Sequence, residues 1–228
     1  MPNSASSVVA IDGPSASGKS TVARRVAGEL GWVYVDSGAL YRGVTWKALR
    51  EGVDTSRPEA VAALVPRLVW EFSEAQRAVH FTMDGEDPGL QLRSEPVREA
   101  VSDVAAVPEV RAFIVGELRR LTAFGPLVME GRDIGSVVFP VTPFKFYLDA
   151  DPLERARRRA QELAQAEGRS DVGRVLDSLA RRDGKDSARP TAPLQIPLGA
   201  QVINTTALSI AQVVALIVAA VRRAAAPP

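Results

Sequence analysis

The residues Gly13-Pro14-Ser15-Ala16-Ser17-Gly18-Lys19-Ser20-Thr21 are spaced to hold phosphate. An apolar run, Val8–Asp12, leads into them and a helical pattern follows, the setting in which G-x-x-x-x-G-K-S forms an anion cradle. Gly13 and Gly18 let the backbone curl round a phosphate without a clashing Cβ. Successive N–H groups then point inward and end at a helix N-terminus, where partial positive charge collects. Lys19 is placed to reach the β- and γ-phosphates of a nucleotide, and the Ser20 hydroxyl to face a magnesium ion.

Moving a phosphoryl group needs little covalent help; charge on the moving group must be neutralised and the partners held in line. Planar guanidinium groups suit that work, because each grips phosphate oxygens through two donors. Arg42 lies one helical turn beyond the second strand, at the end of the sheet where open α/β proteins bind ligands; a solvated helix face is the plainer reading. Arg132 and Asp133 follow another strand end, where a structural salt bridge would serve equally well. An aspartate there could accept from the exocyclic amine of cytosine, a donor that uracil lacks. Arg155, Arg158 and Arg159 share part of one helix face, and an anion between them would relieve their repulsion. His80 falls in an alternating strand and reads as a sheet residue. Trp32, Trp46 and Trp70 lie on apolar stripes and read as packing.

The elements that must position these groups alternate. Strands are expected at 8–12, 32–35, 126–129, 144–148 and 201–203. Helices are expected at 21–30, 39–50, 152–166, 172–182 and 210–223, with Gly31 as a stop and Ser209 with Gln212 as a capping box. Between residues 58 and 106 the pattern is less regular. A helix at 58–68 precedes two strands, 68–72 and 78–83, that should pair antiparallel, and further helices cover 95–105 and 109–123. Residues 183–191 read as a polar segment. The sum is an α/β fold with a parallel five-stranded sheet wrapped by helices.

At 228 residues, 46% hydrophobic and 24% charged, the chain has the composition of a globular protein with a sizeable core. Its net charge of +1 gives no global attraction to nucleic acid or membrane. The absence of cysteine excludes disulfides and thiolate metal sites and fits a reducing cytoplasm. No secretory signal is visible, and residues 210–221 are too few to span a bilayer. The serine-rich head and the Ala-Pro tail are expected to fray.

Four segments resemble the bacterial cytidylate kinase family of nucleoside monophosphate kinases: IDGPSASGKST at 11–21, DSGALYR at 36–42, MEGRDIGSVVFP at 129–140, and the pair RRD and KDSARP within 181–190. The resemblance implies transfer of the γ-phosphoryl group of ATP to CMP or dCMP, with Mg²⁺ as cofactor, by a cytoplasmic monomer without nucleic-acid or membrane partners. It implies the P-loop kinase fold, with a core at 1–57, 107–166 and 191–228, a small α+β acceptor-binding insert at 58–106, and a helical lid at 167–190. It assigns residues 13–21 to ATP, and Ser37, Arg42, Ser102, Arg111, Arg132, Asp133, Arg182, Asp186 and Arg189 to the acceptor. Ser37 is also an ordinary helix-cap candidate. Lys19, Arg132, Arg158 and Arg182 are the expected catalytic cations, and Ser20, with Glu130 through water, the expected metal contact. Glu130 departs from the family, which more often has Asp there; Ser20 replaces a Gly found in some members; Pro88 stands where a β-branched residue is usual. A kinase for another small acceptor and a nucleotide-regulated switch are the alternatives. No N-K-x-D guanine-reading motif supports the switch, and no nucleic-acid-binding module is recognisable.

Overall fold

The computed structural model describes residues 8–168 and 170–225; the serine-rich head at 1–7 and the end of the Ala-Pro tail at 226–228 lie outside the described residues. Strand β1, Val8–Asp12, is buried along its whole length. It pairs in parallel with β5, Leu127–Gly131, on one side and β6, Phe144–Asp149, on the other. Val8 and Ala10 enter one core cluster and Val9 and Ile11 the other. This two-sided burial is why the strand reads as a continuous apolar run.

Outward from this centre lie β2, Val33–Asp36, beyond β5, and β7, Gln201–Asn204, beyond β6. These five strands form the expected parallel sheet. The hairpin β3, Trp70–Ala75, with β4, Ala78–Met83, extends it: β4 joins β2 through the Tyr34–Ala78 pairing. The order is β3-β4-β2-β5-β1-β6-β7, a seven-stranded sheet where five strands were expected. The two turn residues, Gln76 and Arg77, both have positive φ, which supplies the tight reversal.

One face is covered by α1, Lys19–Leu30, and α8, Ile210–Ala225. The other is covered by α2, Ser37–Arg50; α3, Pro58–Leu64; α4, Glu95–Val104; and α5, Pro108–Arg120. Helices α6, Pro152–Glu167, and α7, Val172–Ala188, pack on each other through Ala156, Ala160, Val175 and Leu179. No helix among the described residues is long and apolar enough to cross a membrane.

Local signals behave largely as expected. Gly31 ends α1 at φ 71°. The Ser209–Gln212 box closes reciprocally, with Ser209 N donating to Gln212 Oε1 at 2.8 Å and Gln212 N to Ser209 Oγ at 3.3 Å. Three of the differences in boundary bear on the site. Helix α1 begins at Lys19, directly from the left-handed Gly18. Asp36, not Ser37, caps α2, accepting from Ala39 N at 3.0 Å. Helix α7 continues past residue 182, through most of the polar segment, to Ala188. Its apolar stripe gives out near Leu179, but Asp183 and Asp186 continue the same face with polar contacts to the body of the protein.

Gly13 is where the sheet and the phosphate loop meet most tightly: at φ 149°, a Cβ built there would lie 2.1 Å from the Leu148 carbonyl oxygen. Gly28, exposed on α1, has nothing within 4 Å of such a Cβ. Gly13→Ala should therefore lower the unfolding free energy by about 3 kcal/mol, a drop of roughly 6–12 °C in Tm for a chain of this size. Gly28→Ala should leave Tm unchanged or slightly raised. Calorimetry on the two variants checks this.

Candidate active site

The carboxyl ends of β1, β2 and β5 open into a cleft of about 690 Å³. On its floor the loop from Gly13 to Gly18 wraps over the start of α1. Lys19 is 5% exposed and folds back, its Nζ donating to the Pro14 carbonyl at 2.7 Å. Burial, and then the nearby Arg132, push its ammonium well below the usual lysine range, against the pull of Glu130, Asp183 and Asp12. Ser20 Oγ donates to Glu130 Oε1 at 2.5 Å. Ser37 Oγ donates to the Glu130 carbonyl at 2.7 Å, fixing the start of α2 against the end of β5.

Asp12, at the end of β1, is fully buried and accepts from the N–H groups of Ile134 and Gly135 at 2.8 and 2.7 Å. Burial raises its carboxyl to about 7 despite these bonds. The contact locks the turn after β5 to the base of the phosphate loop, and so sets where Arg132 and Asp133 stand. Arg132 Nη2 donates to Ser15 Oγ at 2.7 Å and its Nε to Asp186 Oδ2 at 3.1 Å. Asp133 forms a buried ion pair with Arg111, whose guanidinium also donates to the Ala105 carbonyl at 3.0 Å and lies 5.3 Å from the centre of the Tyr41 ring.

Of the expected ATP contacts, Ser15, Ala16, Gly18, Lys19, Ser20 and Thr21 line the cleft; Gly13, Pro14 and Ser17 shape the loop beneath. All the expected acceptor residues, Ser37, Arg42, Ser102, Arg111, Arg132, Asp133, Arg182, Asp186 and Arg189, come together on its walls. Arg42 pairs with Asp36 at 2.7 Å. Arg158 is absent from the lining: it donates to Glu154 Oε1 at 3.0 Å and to the Thr205 carbonyl at 2.8 Å. No anion is needed between the α6 arginines either. Arg155 pairs with Asp183, Arg158 with Glu154 and Arg159 with Glu162. His80 is exposed on β4, and Trp32 and Trp70 pack against aromatic neighbours.

Sequence reasoning missed Arg24, Tyr41, Arg93 and Arg98, which also line the cleft. Arg24 was findable, four residues after Ser20 and so on the same face of α1. Arg93 and Arg98 come from the irregular insert and carried no local signal. In all, ten cationic and five carboxylate side chains line this space. Five buried polar atoms of its lining residues make no hydrogen bond: Tyr41 OH, Arg42 Nε, Arg111 Nε, Arg182 Nε and Arg189 Nη2. Buried donors of this kind mark where a ligand belongs.

The sequence profile of the cytidylate kinase family matches residues 9–223. The chain belongs to the cytidylate kinase family. It is 40% identical to the cytidylate kinase of Caldanaerobacter subterraneus subsp. tengcongensis, covering 94% of each chain. It is 42% identical to that of Rhodococcus opacus, covering 93% of each, and 43% identical to that of Geobacillus kaustophilus, covering 90% of this chain and 92% of that one.

Of the departures expected from the resemblance, Glu130 has the clearest structural setting. Its longer side chain reaches Ser20, and Tyr34 OH lies 3.5 Å from the same oxygen. Burial and the neighbouring Asp36 raise its carboxyl above the usual range. The pair offers hard oxygen donors, and no group of three or more His, Cys, Asp or Glu side chains among the described residues could cage a metal alone. That donor set fits Mg²⁺, which keeps water and substrate phosphates among its ligands.

A bound polyphosphate removes the electrostatic penalty on Lys19 and raises its pKa, so above neutral pH nucleotide binding should take up a proton and weaken as pH rises. Titration calorimetry of ADP in buffers of different ionisation enthalpy should show this uptake. Lys19→Ala should abolish it along with phosphoryl transfer, while the thermal unfolding transition stays cooperative. Proton uptake persisting in Lys19→Ala would assign the linkage to another group.

Proposed function

We propose that this protein transfers the γ-phosphoryl group of ATP to CMP or dCMP, giving ADP and CDP or dCDP, as a monomeric enzyme of cytoplasmic pyrimidine nucleotide metabolism. The observation that carries the choice of acceptor is the buried Arg111–Asp133 pair on the cleft wall. Arg111 engages Asp133 Oδ2 and keeps a buried Nε–H without a partner. Oδ1 of Asp133 is left to a ligand donor. A fixed acceptor beside a fixed donor suits cytosine, whose exocyclic amine donates and whose ring nitrogen accepts. Uracil offers the reverse pattern and would leave both groups unsatisfied, which costs far more than a lost contact.

The donor's phosphates occupy the loop N–H groups of residues 16–21, the Ser15 N–H being taken by Asp183, with Lys19 reaching the transferred group. Arg42 and Arg132 hold the acceptor's phosphate, Asp186 and Arg189 its ribose, and Ser102 stands beside its base. Arg182 completes the charge neutralisation. Burial, followed by the repulsion of Arg132, lowers its pKa to about 10, which leaves it cationic at neutral pH. Ser20, and Glu130 through water, would hold Mg²⁺, which would supply charge screening at the phosphate oxygens. Arg158, held by Glu154 and the Thr205–Thr206 backbone, acts through the loop after β7 and not on phosphate. The lid, residues 167–190, closes the cleft against water, which would otherwise consume ATP.

With ATP, Mg²⁺ and each monophosphate in turn, kcat/KM for CMP and dCMP should exceed that for UMP, AMP and GMP by at least about a hundredfold. Equal rates with UMP would remove the role of Asp133. Turnover confined to a purine or to a non-nucleotide acceptor would point to another P-loop kinase specificity.

A further inference from the structure

Ser15 sits inside the phosphate loop, yet its own contacts run outward to α6 and α7. Its N–H donates to Asp183 Oδ1 at 3.1 Å, and its carbonyl accepts from Arg155 Nη1 at 3.0 Å. Arg155 and Asp183 are ion-paired with each other, and Arg155 Nε is anchored on the Ala150 carbonyl at 3.2 Å. Both backbone groups of one loop residue are thus held by a single ion pair, its carboxylate from α7 and its guanidinium from α6. One turn along α7, Asp186 accepts from Arg132 at 3.1 Å, and Arg132 returns to Ser15 through the hydroxyl at 2.7 Å. Asp183 and Asp186 share a helix face at three-residue spacing. Ser15 therefore closes a ring that runs through α7 and the turn after β5.

An exposed ion pair would contribute little. This one is largely shielded, with side-chain exposures of 10% for Arg155 and 16% for Asp183. Its remaining hydrogen-bonding capacity is directed at the loop and its footing, away from solvent. The next residue, Ala16, has φ 60°, a conformation that a non-glycine residue holds only when its surroundings impose it.

We propose that Asp183 is a positioning residue that fastens α7 to Ser15, so that the shape of the phosphate cradle and the closure of α7 form one equilibrium. A nucleotide that orders the loop also holds α7 down, and release of α7 frees both backbone groups of Ser15. By reciprocity, whatever draws α7 closed tightens the donor site. The inference deepens the function proposed above and rests only on its donor-nucleotide half.

Hydrogen exchange read by mass spectrometry on the full chain, with Mg²⁺–ADP as the probe, tests it. In the wild type, saturating ADP should slow exchange over residues 172–188 of α7 by about tenfold, a typical coupling between two sites. In Asp183→Ala, ADP should bind about tenfold more weakly and, at saturation, still slow exchange in α1 while leaving α7 at its free rate. Asp183→Asn keeps an acceptor for the Ser15 N–H but cannot neutralise Arg155. It should recover part of both effects, a grading that a general loss of packing would not give. Thermal unfolding confirms that each variant is folded, and if the alanine variant is not, the asparagine variant alone must show reduced slowing in α7. Full wild-type slowing of α7 in a folded variant overturns the proposal while leaving the functional reading intact. Failure of the wild type to bind ADP overturns both.

Discussion

Positive charge held out of water is the constraint on which the rest of this molecule depends. Lys19 and Arg182 are both driven below their ordinary pKa, first by burial and next by Arg132. Internal carboxylates offset part of this, through Asp133 on Arg111, Asp186 on Arg132 and Asp36 on Arg42. The offset is incomplete, since buried guanidinium atoms of Arg42, Arg111, Arg182 and Arg189 make no hydrogen bond. Folding into such a state costs stability that the core must supply. The sheet and the helices packed on it supply it: β1 is buried throughout, and Ile11, Leu127, Met129 and Leu148 of the three central strands are fully buried, as are Leu40, Ile114, Leu118 and Ile217 of the covering helices. Anionic phosphate bound there would offset this cost, and the offset would appear as affinity.

The same logic explains how neighbouring strands divide the work. β1 ends in the phosphate loop, β2 in Asp36 and α2, and β5 in Glu130 and the turn carrying Arg132 and Asp133. The buried carboxylate of Asp12 fixes β1 to that turn through two backbone N–H groups. Donor and acceptor surfaces are therefore held by adjacent, rigid strand ends, which is how in-line geometry survives without a covalent intermediate.

What was legible in the sequence was what is determined locally. The phosphate loop, Gly31, the Ser209–Gln212 box and the apolar run of β1 each carry their structure within a few residues. The cap of α2 was harder, because Asp36 and Ser37 are both good caps and only the Glu130 carbonyl, distant in sequence, draws the serine away. The length of α7 was hidden for a similar reason. Its polar half is stabilised by Ser15 and Arg132, which no helical period in the sequence reveals. The hairpin read correctly as a pair, but its attachment to β2 rests on one residue pairing and has no sequence signature. Arg158 shares with its cleft-lining neighbour Arg159 the same residue type and nearly the same position. Only the fold shows that it turns toward Thr205. Ser102 and Arg111 carried no signal of their own and entered through the family resemblance alone.

The central claim is that one cationic cleft holds two nucleotides with their phosphates facing each other. A crystal structure with ADP, Mg²⁺ and CMP bound together tests it most directly. The account requires the ADP β-phosphate within hydrogen-bond distance of the loop N–H groups and Lys19, the CMP phosphate on Arg42 and Arg132, and the cytosine amine on Asp133. Either nucleotide bound elsewhere, or a cytosine turned away from Asp133, would contradict it.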